Sequence, residues 1–94
     1  MKRILKYALE LPPTGSGVVY VELRGFVKMR AFANLGGRPT VFVEGNAIHP
    51  MEVVPFLLVK ENEEAPEKAI YCGSATFDSV LGKPFVLFCY LLVR

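Results

Sequence analysis

Apolar and polar positions alternate with a period of two along most of this chain, and no stretch holds a helical period long enough for a helix. Between Arg3 and Leu9, the set Leu5, Tyr7 and Leu9 alternates with Ile4, Lys6 and Ala8, and the run stops at Pro12-Pro13 and Thr14-Gly15-Ser16-Gly17. A second strand spans Val18 to Arg24, with Val19, Val21 and Leu23 on one face and Val18, Tyr20, Glu22 and Arg24 on the other; Gly25 closes it. Phe26 to Asn34 sets Val27, Met29, Ala31 and Ala33 against Phe26, Lys28, Arg30, Phe32 and Asn34. Gly36-Gly37 then offers the positive φ of a tight hairpin into Thr40 to Glu44, so strands three and four are expected to pair. Gly45-Asn46 ends strand four, and Pro50 closes a short connection that holds the sole histidine, His49.

Val53 to Lys60 is almost continuously apolar, the pattern of a strand buried on both faces, although Pro55 cannot donate to a ladder and predicts an edge position or a bulge. Glu61 to Lys68 carries too much charge to pack and reads as a solvated loop with room for one helical turn. Ala69 to Phe77 alternates again, and a loop through Gly82 and Pro84 leads to Phe85 to Val93, apolar on both sides and therefore central or buried in a subunit contact. About seven short strands joined by brief loops predict an all-β fold, a small antiparallel barrel or sandwich.

Composition narrows this picture. The 94 residues are 52% hydrophobic, which excludes disorder and predicts a single domain over residues 1–94. A domain this short buries a modest share of its surface, so the apolar surplus predicts a homo-oligomer. No apolar run approaches the length of a membrane span and Met1-Lys2-Arg3 opens no long apolar stretch, so we expect a cytoplasmic protein with no membrane partner. Cys72 and Cys89 each sit inside an apolar run, as reduced buried thiols do. The formal charge of +2 conceals an asymmetry: residues 1–39 hold seven basic side chains against Glu10 and Glu22, and residues 40–94 hold four basic against seven acidic. Such a division marks an electropositive face for an anionic partner, or two surfaces that attract each other in a dimer.

Catalytic constellations are sparse. One histidine and two separated cysteines do not supply a clustered metal site, so neither metal nor cofactor is expected. A nucleophile pair of His49 with Cys72 or Cys89 competes with the commoner reading of mid-strand cysteines as small buried hydrophobes. Glu22, Glu44 and Asp78 are the carboxylates outside the charged loop, and nothing in the sequence pairs them. Gly15 and Gly17 could present N–H groups to a phosphate, but their loop leads into a strand and lacks the Lys-Ser/Thr ending of phosphate loops. The stronger signal is strand three. Strict alternation places Phe26, Lys28, Arg30 and Phe32 on one face, with Tyr20 and Arg24 from the strand before, Phe42 from the strand after, and Arg38 beyond the hairpin as a further cation. Aromatic planes interleaved with cations suit a stacked base and its phosphate. The alternative is a second apolar layer or a dimer contact with Lys28 and Arg30 at its rim.

Lys6-Tyr7-Ala8-Leu9, the middle segment Gly25-Phe26-Val27-Lys28-Met29-Arg30-Ala31 with Gly37-Arg38-Pro39-Thr40-Val41-Phe42, and the late Tyr71-Cys72-Gly73-Ser74-Ala75-Thr76-Phe77 together resemble a family of small all-β phage- and prophage-encoded proteins. The resemblance covers most of the chain and implies a compact β protein, with no catalytic residue to carry over. It further implies a role in the host cytoplasm against host defence, exercised by stoichiometric binding. Two partner classes follow as expectations: a host defence protein whose surface is occluded, or a nucleotide signal sequestered between subunits by Arg24, Lys28 and Arg30 with Phe26 or Phe32. A small virion or assembly protein is a third. General nucleic-acid binding is disfavoured by the low net charge and the acidic second half.

Overall fold

A computed structural model describes residues 2–12 and 15–92; Pro13, Thr14 and Val93, which the pattern assigns to the first loop and the last strand, lie outside the described residues. The strands are β1 (Lys2–Ala8), β2 (Gly17–Arg24), β3 (Lys28–Leu35), β4 (Arg38–Asn46), β5 (Met51–Lys60), β6 (Ala69–Asp78) and β7 (Pro84–Leu92). They form two antiparallel sheets, three-stranded β1-β4-β3 and four-stranded β2-β5-β7-β6. The fold is thus all-β and sandwich-like, not a closed barrel.

Alternation drives one parity of each strand into the space between the sheets. Leu9, Phe32, Val41 and Val43 enter it from the three-stranded side, and Val21, Leu23, Val54, Phe56, Leu58, Phe77, Leu87 and Cys89 from the other. β7 lies between β5 and β6, the central position that its apolar sequence requires. β5 is also internal, yet Pro55 does not break it. Pairing with β7 begins only at Phe56, so the half of β5 that contains Pro55 has β2 alone beside it, and the missing N–H costs no ladder bond to β7. The β3–β4 hairpin turns at Gly36 (φ 60°) and Gly37 (φ 87°), as the sequence predicts.

Two irregularities correct the simple alternation. In β3 the pairing with β4 shifts between Met29 and Ala31, leaving Arg30 as an extra residue. A one-residue insertion flips every later side chain, so Phe32 points into the core at 7% exposure while Ala31 faces out. In β6 the shift lies between Tyr71 and Gly73, and Cys72 is the extra residue. The bulged stretches of β3 and β6 lie where these two edge strands approach each other. A Cβ on Gly73 (φ 144°) would stand 3.3 Å from the Cβ of Phe32, and the Asn34 side-chain amide donates to the Thr76 carbonyl at 2.8 Å. Phe32 meets Phe77 there at a ring separation of 6.2 Å, and Phe77 meets Phe85 at 6.0 Å.

The segment 61–68 is a surface connection in which no helical turn forms. Its acids are nevertheless used: the Glu63 carboxylate accepts the Lys60 N–H at 2.7 Å and the Ser16 hydroxyl at 3.0 Å, which ties the β1–β2 loop to the end of β5. The chain crosses from the four-stranded to the three-stranded sheet at Gly25, and Val27 N–H to Glu44 O (2.8 Å) and Asn46 N–H to Gly25 O (3.1 Å) hold the corner. Gly25 has φ 55°, and a Cβ there would stand 2.6 Å from the Asn46 carbonyl oxygen. Gly25→Ala therefore adds a left-handed-backbone penalty and a clash with backbone, and we expect it to cost more than about 2 kcal/mol, read as a lowered urea midpoint. Gly36→Ala, with open space around its Cβ position, is expected to cost about 1 kcal/mol from φ alone.

Candidate functional site

The sandwich distributes the candidate residues over three places. Tyr20 and Arg24 stand on the outward face of β2, Arg38 on the outward side of β4, and Phe26, Lys28 and Arg30 beside a cleft between the start of β3 and β6. Phe32 joins none of them. The Arg30 bulge sends it into the core, so the expected row of Phe26, Lys28, Arg30 and Phe32 on one face does not exist and Phe32 has no free ring face for a ligand.

The cleft has a volume of about 420 Å³ and is lined by Phe26, Lys28, Met29 and Arg30 on one wall and by Tyr71 and Cys72 on the other. Arg30 pairs with Glu44 (Nε to Oε1, 3.1 Å), which turns its guanidinium toward the outer face of β4. Phe26 also borders a neighbouring cavity of about 460 Å³, shared with Lys2, Asn46, His49 and Glu52. There the Phe26 N–H donates to the Glu52 carboxylate at 3.1 Å, and Arg24 Nη1 donates to the His49 carbonyl at 3.4 Å. His49 lies away from both thiols: it lines this second cavity and Cys72 the first, so the structure does not bring them together as a nucleophile pair. At the opposite end, the Gly15 N–H is spent on the Pro12 carbonyl at 2.8 Å. Among the described residues no group of three or more His, Cys, Asp or Glu side chains is placed to hold a metal ion.

The sequence pattern does not foresee that Cys72 and Cys89 meet. With Cys72 bulged out of the β6–β7 register, Tyr71 pairs with Tyr90 and Gly73 with Cys89, which sets Cys72 beside Cys89 across the ladder, packed against the core cluster to which Cys89 belongs. The Cys89 S–H bond lowers the pKa of Cys72 from its ordinary value, helped by the Leu91 N–H and opposed by burial. Cys89 is raised by the same contact, by burial and by the Cys72 charge.

The two outer surfaces differ sharply. On the three-stranded sheet, Lys2, Lys6, Lys28, Arg30 and Arg38 surround Phe42 and the single acid Glu44, so the basic first part of the chain becomes one electropositive face. On the four-stranded sheet the outward parity runs Val18, Tyr20, Glu22 and Arg24 on β2, Val53, Pro55 and Leu57 on β5, Phe88 and Tyr90 on β7, and Tyr71, Ser74, Thr76 and Asp78 on β6, so an apolar centre is bordered by polar side chains. Tyr20 is 69% exposed, Val53 48% and Tyr71 54%, and the Tyr71 and Tyr90 rings meet edge to face at 5.5 Å. The pattern predicts that Val53 to Lys60 is buried on both faces and that the last strand is central or in a subunit contact; in the fold both strands are internal, yet only one parity is covered and Val53 stands exposed on the other. Among the described residues no helix is long and apolar enough to cross a membrane.

Comparison with protein-family models, with curated proteins and with solved structures finds no match to this chain. The site is therefore read from its own geometry. Phe32→Ala should cost about 3–5 kcal/mol of stability, as a buried aromatic does, whereas Lys28→Ala on the exposed rim of the cleft should stay within about 0.5 kcal/mol. Urea unfolding of both variants checks the assignment of Phe32 to the core and Lys28 to the surface.

Proposed function

We propose that this protein is a non-enzymatic binding domain that docks onto another protein through the outward face of its four-stranded sheet. The observation that carries this reading is the apolar and aromatic band from Tyr20 and Pro55 across Leu57 and Tyr90 to Tyr71, with Val53 exposed beside it and Glu22 and Arg24 at its rim. Four strands about 4.8 Å apart and about eight residues long at about 3.3 Å each give the whole outer side of this sheet about 500 Å² in projection, of which the apolar band is the central part. An apolar patch of a few hundred Å² on a small protein is often functional, and Tyr is among the residue types enriched as anchors of protein interfaces. On the resemblance to small phage-encoded proteins, the partner is a host defence effector in the cytoplasm, inhibited by occlusion of its surface.

A photoreactive phenylalanine analogue placed at Tyr20 or at Val53 should cross-link to one partner protein in the natural cellular context, and the same analogue at Lys6 on the basic face should not. Val53→Glu with Leu57→Glu should weaken that complex by more than about 2 kcal/mol, roughly thirtyfold, with the β circular-dichroism spectrum unchanged. No protein adduct from Tyr20 and Val53, or equal yield from Lys6, overturns the reading. The self-association expected from the apolar surplus would use the same face, and an adduct containing only a second copy replaces the partner with a homodimer.

A second reading, sequestration of a nucleotide signal, is favoured by one observation: Phe26, Lys28 and Arg30 do border a common cleft, with Tyr71 on its other wall. It predicts about 2.7 kcal/mol of stabilisation by a signalling nucleotide at about a hundred times its dissociation constant. A flat thermal response across a panel of cyclic and linear nucleotides removes it.

A further inference from the structure

We propose that Cys72 and Cys89 form a peroxide-oxidised thiol pair, with Cys72 as the thiol that reacts and Cys89 as the thiol that resolves it into a disulfide. Three structural features carry this. The bulge between Tyr71 and Gly73 places Cys72 with Gly73 opposite Cys89 on the adjacent strand, and Cys72 packs against the core cluster that contains Cys89. Only one of the two is reachable: Cys72 is half-buried on the wall of the 420 Å³ cleft, and Cys89 has 0% exposure behind it. The bulge is built and not incidental. Gly73 adopts φ 144°, a conformation that L side chains rarely reach, and a Cβ there would press on Phe32.

The hydrogen bonding sets the order of events. As a thiol, Cys72 donates to the Ile70 carbonyl at 3.3 Å; as a thiolate it accepts the S–H of Cys89 and the N–H of Leu91, which favours the reactive form. A hydroperoxide that enters the cleft meets this sulfur. The sulfur lone pair attacks the distal oxygen, an S–O bond forms, the O–O bond breaks, and the peroxide leaves as its alkoxide or hydroxide, which takes a proton from water. Cys72 is then a sulfenic acid and has lost its charge. With it go the Cys72 charge and the thiolate hydrogen bond that raise Cys89, so burial alone still opposes ionisation of Cys89. Cys89 sulfur attacks the sulfenyl sulfur, the S–S bond forms, and the hydroxyl departs with the Cys89 proton as water. Two electrons have passed from the thiols to the peroxide. A low-molecular-mass thiol reverses the change by exchange.

Intact-mass spectrometry of the folded protein after stoichiometric hydrogen peroxide tests this. The wild type should lose the mass of two hydrogens within one chain and regain it with dithiothreitol. Cys89→Ser, and Cys89→Ala as a second form of the same deletion, should halt at the sulfenic acid and be trapped on Cys72 by a cyclic 1,3-dione. Cys72→Ser should leave Cys89 unoxidised under the same conditions. Retention of both thiols in the wild type, a disulfide only between chains, or no dione adduct in either Cys89 variant overturns the proposal.

Discussion

The approach of β3 to β6 at Gly73 is the constraint on which most of this structure depends. Two sheets joined only by loops have no reason to keep one register, and here the edge of one is set against the edge of the other by the close passage of Phe32 over a residue with no side chain. Phe32, Phe77 and Phe85 then continue as a row of packed rings that closes this side of the core, and the Asn34 amide fastens the seam to the Thr76 carbonyl. Both edge strands are bulged nearby. Each bulge spends one residue outside the ladder: Arg30 turns to Glu44 on the outer face, and Cys72 turns toward Cys89 and the cleft. The cleft, the thiol pair and the buried position of Phe32 thus have one origin.

The sandwich also converts an asymmetry along the chain into an asymmetry between two surfaces. β1 and β3 come from the basic first part of the chain and flank β4, which carries Glu44 and Phe42 outward, so the outer side of that sheet is electropositive. The other sheet takes β5, β6 and β7 from the acidic part, but those acids lie mainly in the connection 61–68, where Glu63 caps the end of β5 and binds Ser16. What remains on β5 and β7 is largely apolar at both parities, while β6 adds Ser74, Thr76 and Asp78 to the outer side. A two-layer fold offers such strands one covered side, and the other must meet a partner or remain an exposed apolar sheet. The charged face and the apolar face point in opposite directions, so a protein docked on one leaves the other open.

Much of the fold was legible in the sequence because it is local. Period-two alternation, the Gly36-Gly37 turn, the proline and glycine punctuation and the apolar excess of β7 depend on a few neighbouring residues, and they yield the all-β class, the β3–β4 hairpin and the central place of β7. Phe26, Lys28 and Arg30, which the sequence grouped because they are close in the chain, do border one cleft. The sequence misplaced Phe32, because a bulge leaves no mark in the alternation of Lys28, Met29, Arg30 and Ala31: each of these residues is as acceptable in a bulge as in a regular ladder.

By itself, then, the sequence determined the strand-forming segments, the turns, the uneven charge and the existence of more apolar surface than one small core can hold. Tertiary structure alone decided which parity of each strand is inside, where the ladders slip, and that Cys72 and Cys89 meet. The physical reason is the range of the forces involved. Turn chemistry and side-chain period act over two to four residues, whereas a bulge is chosen by the fit between strands far apart in the chain, here by the room that Gly73 leaves for Phe32.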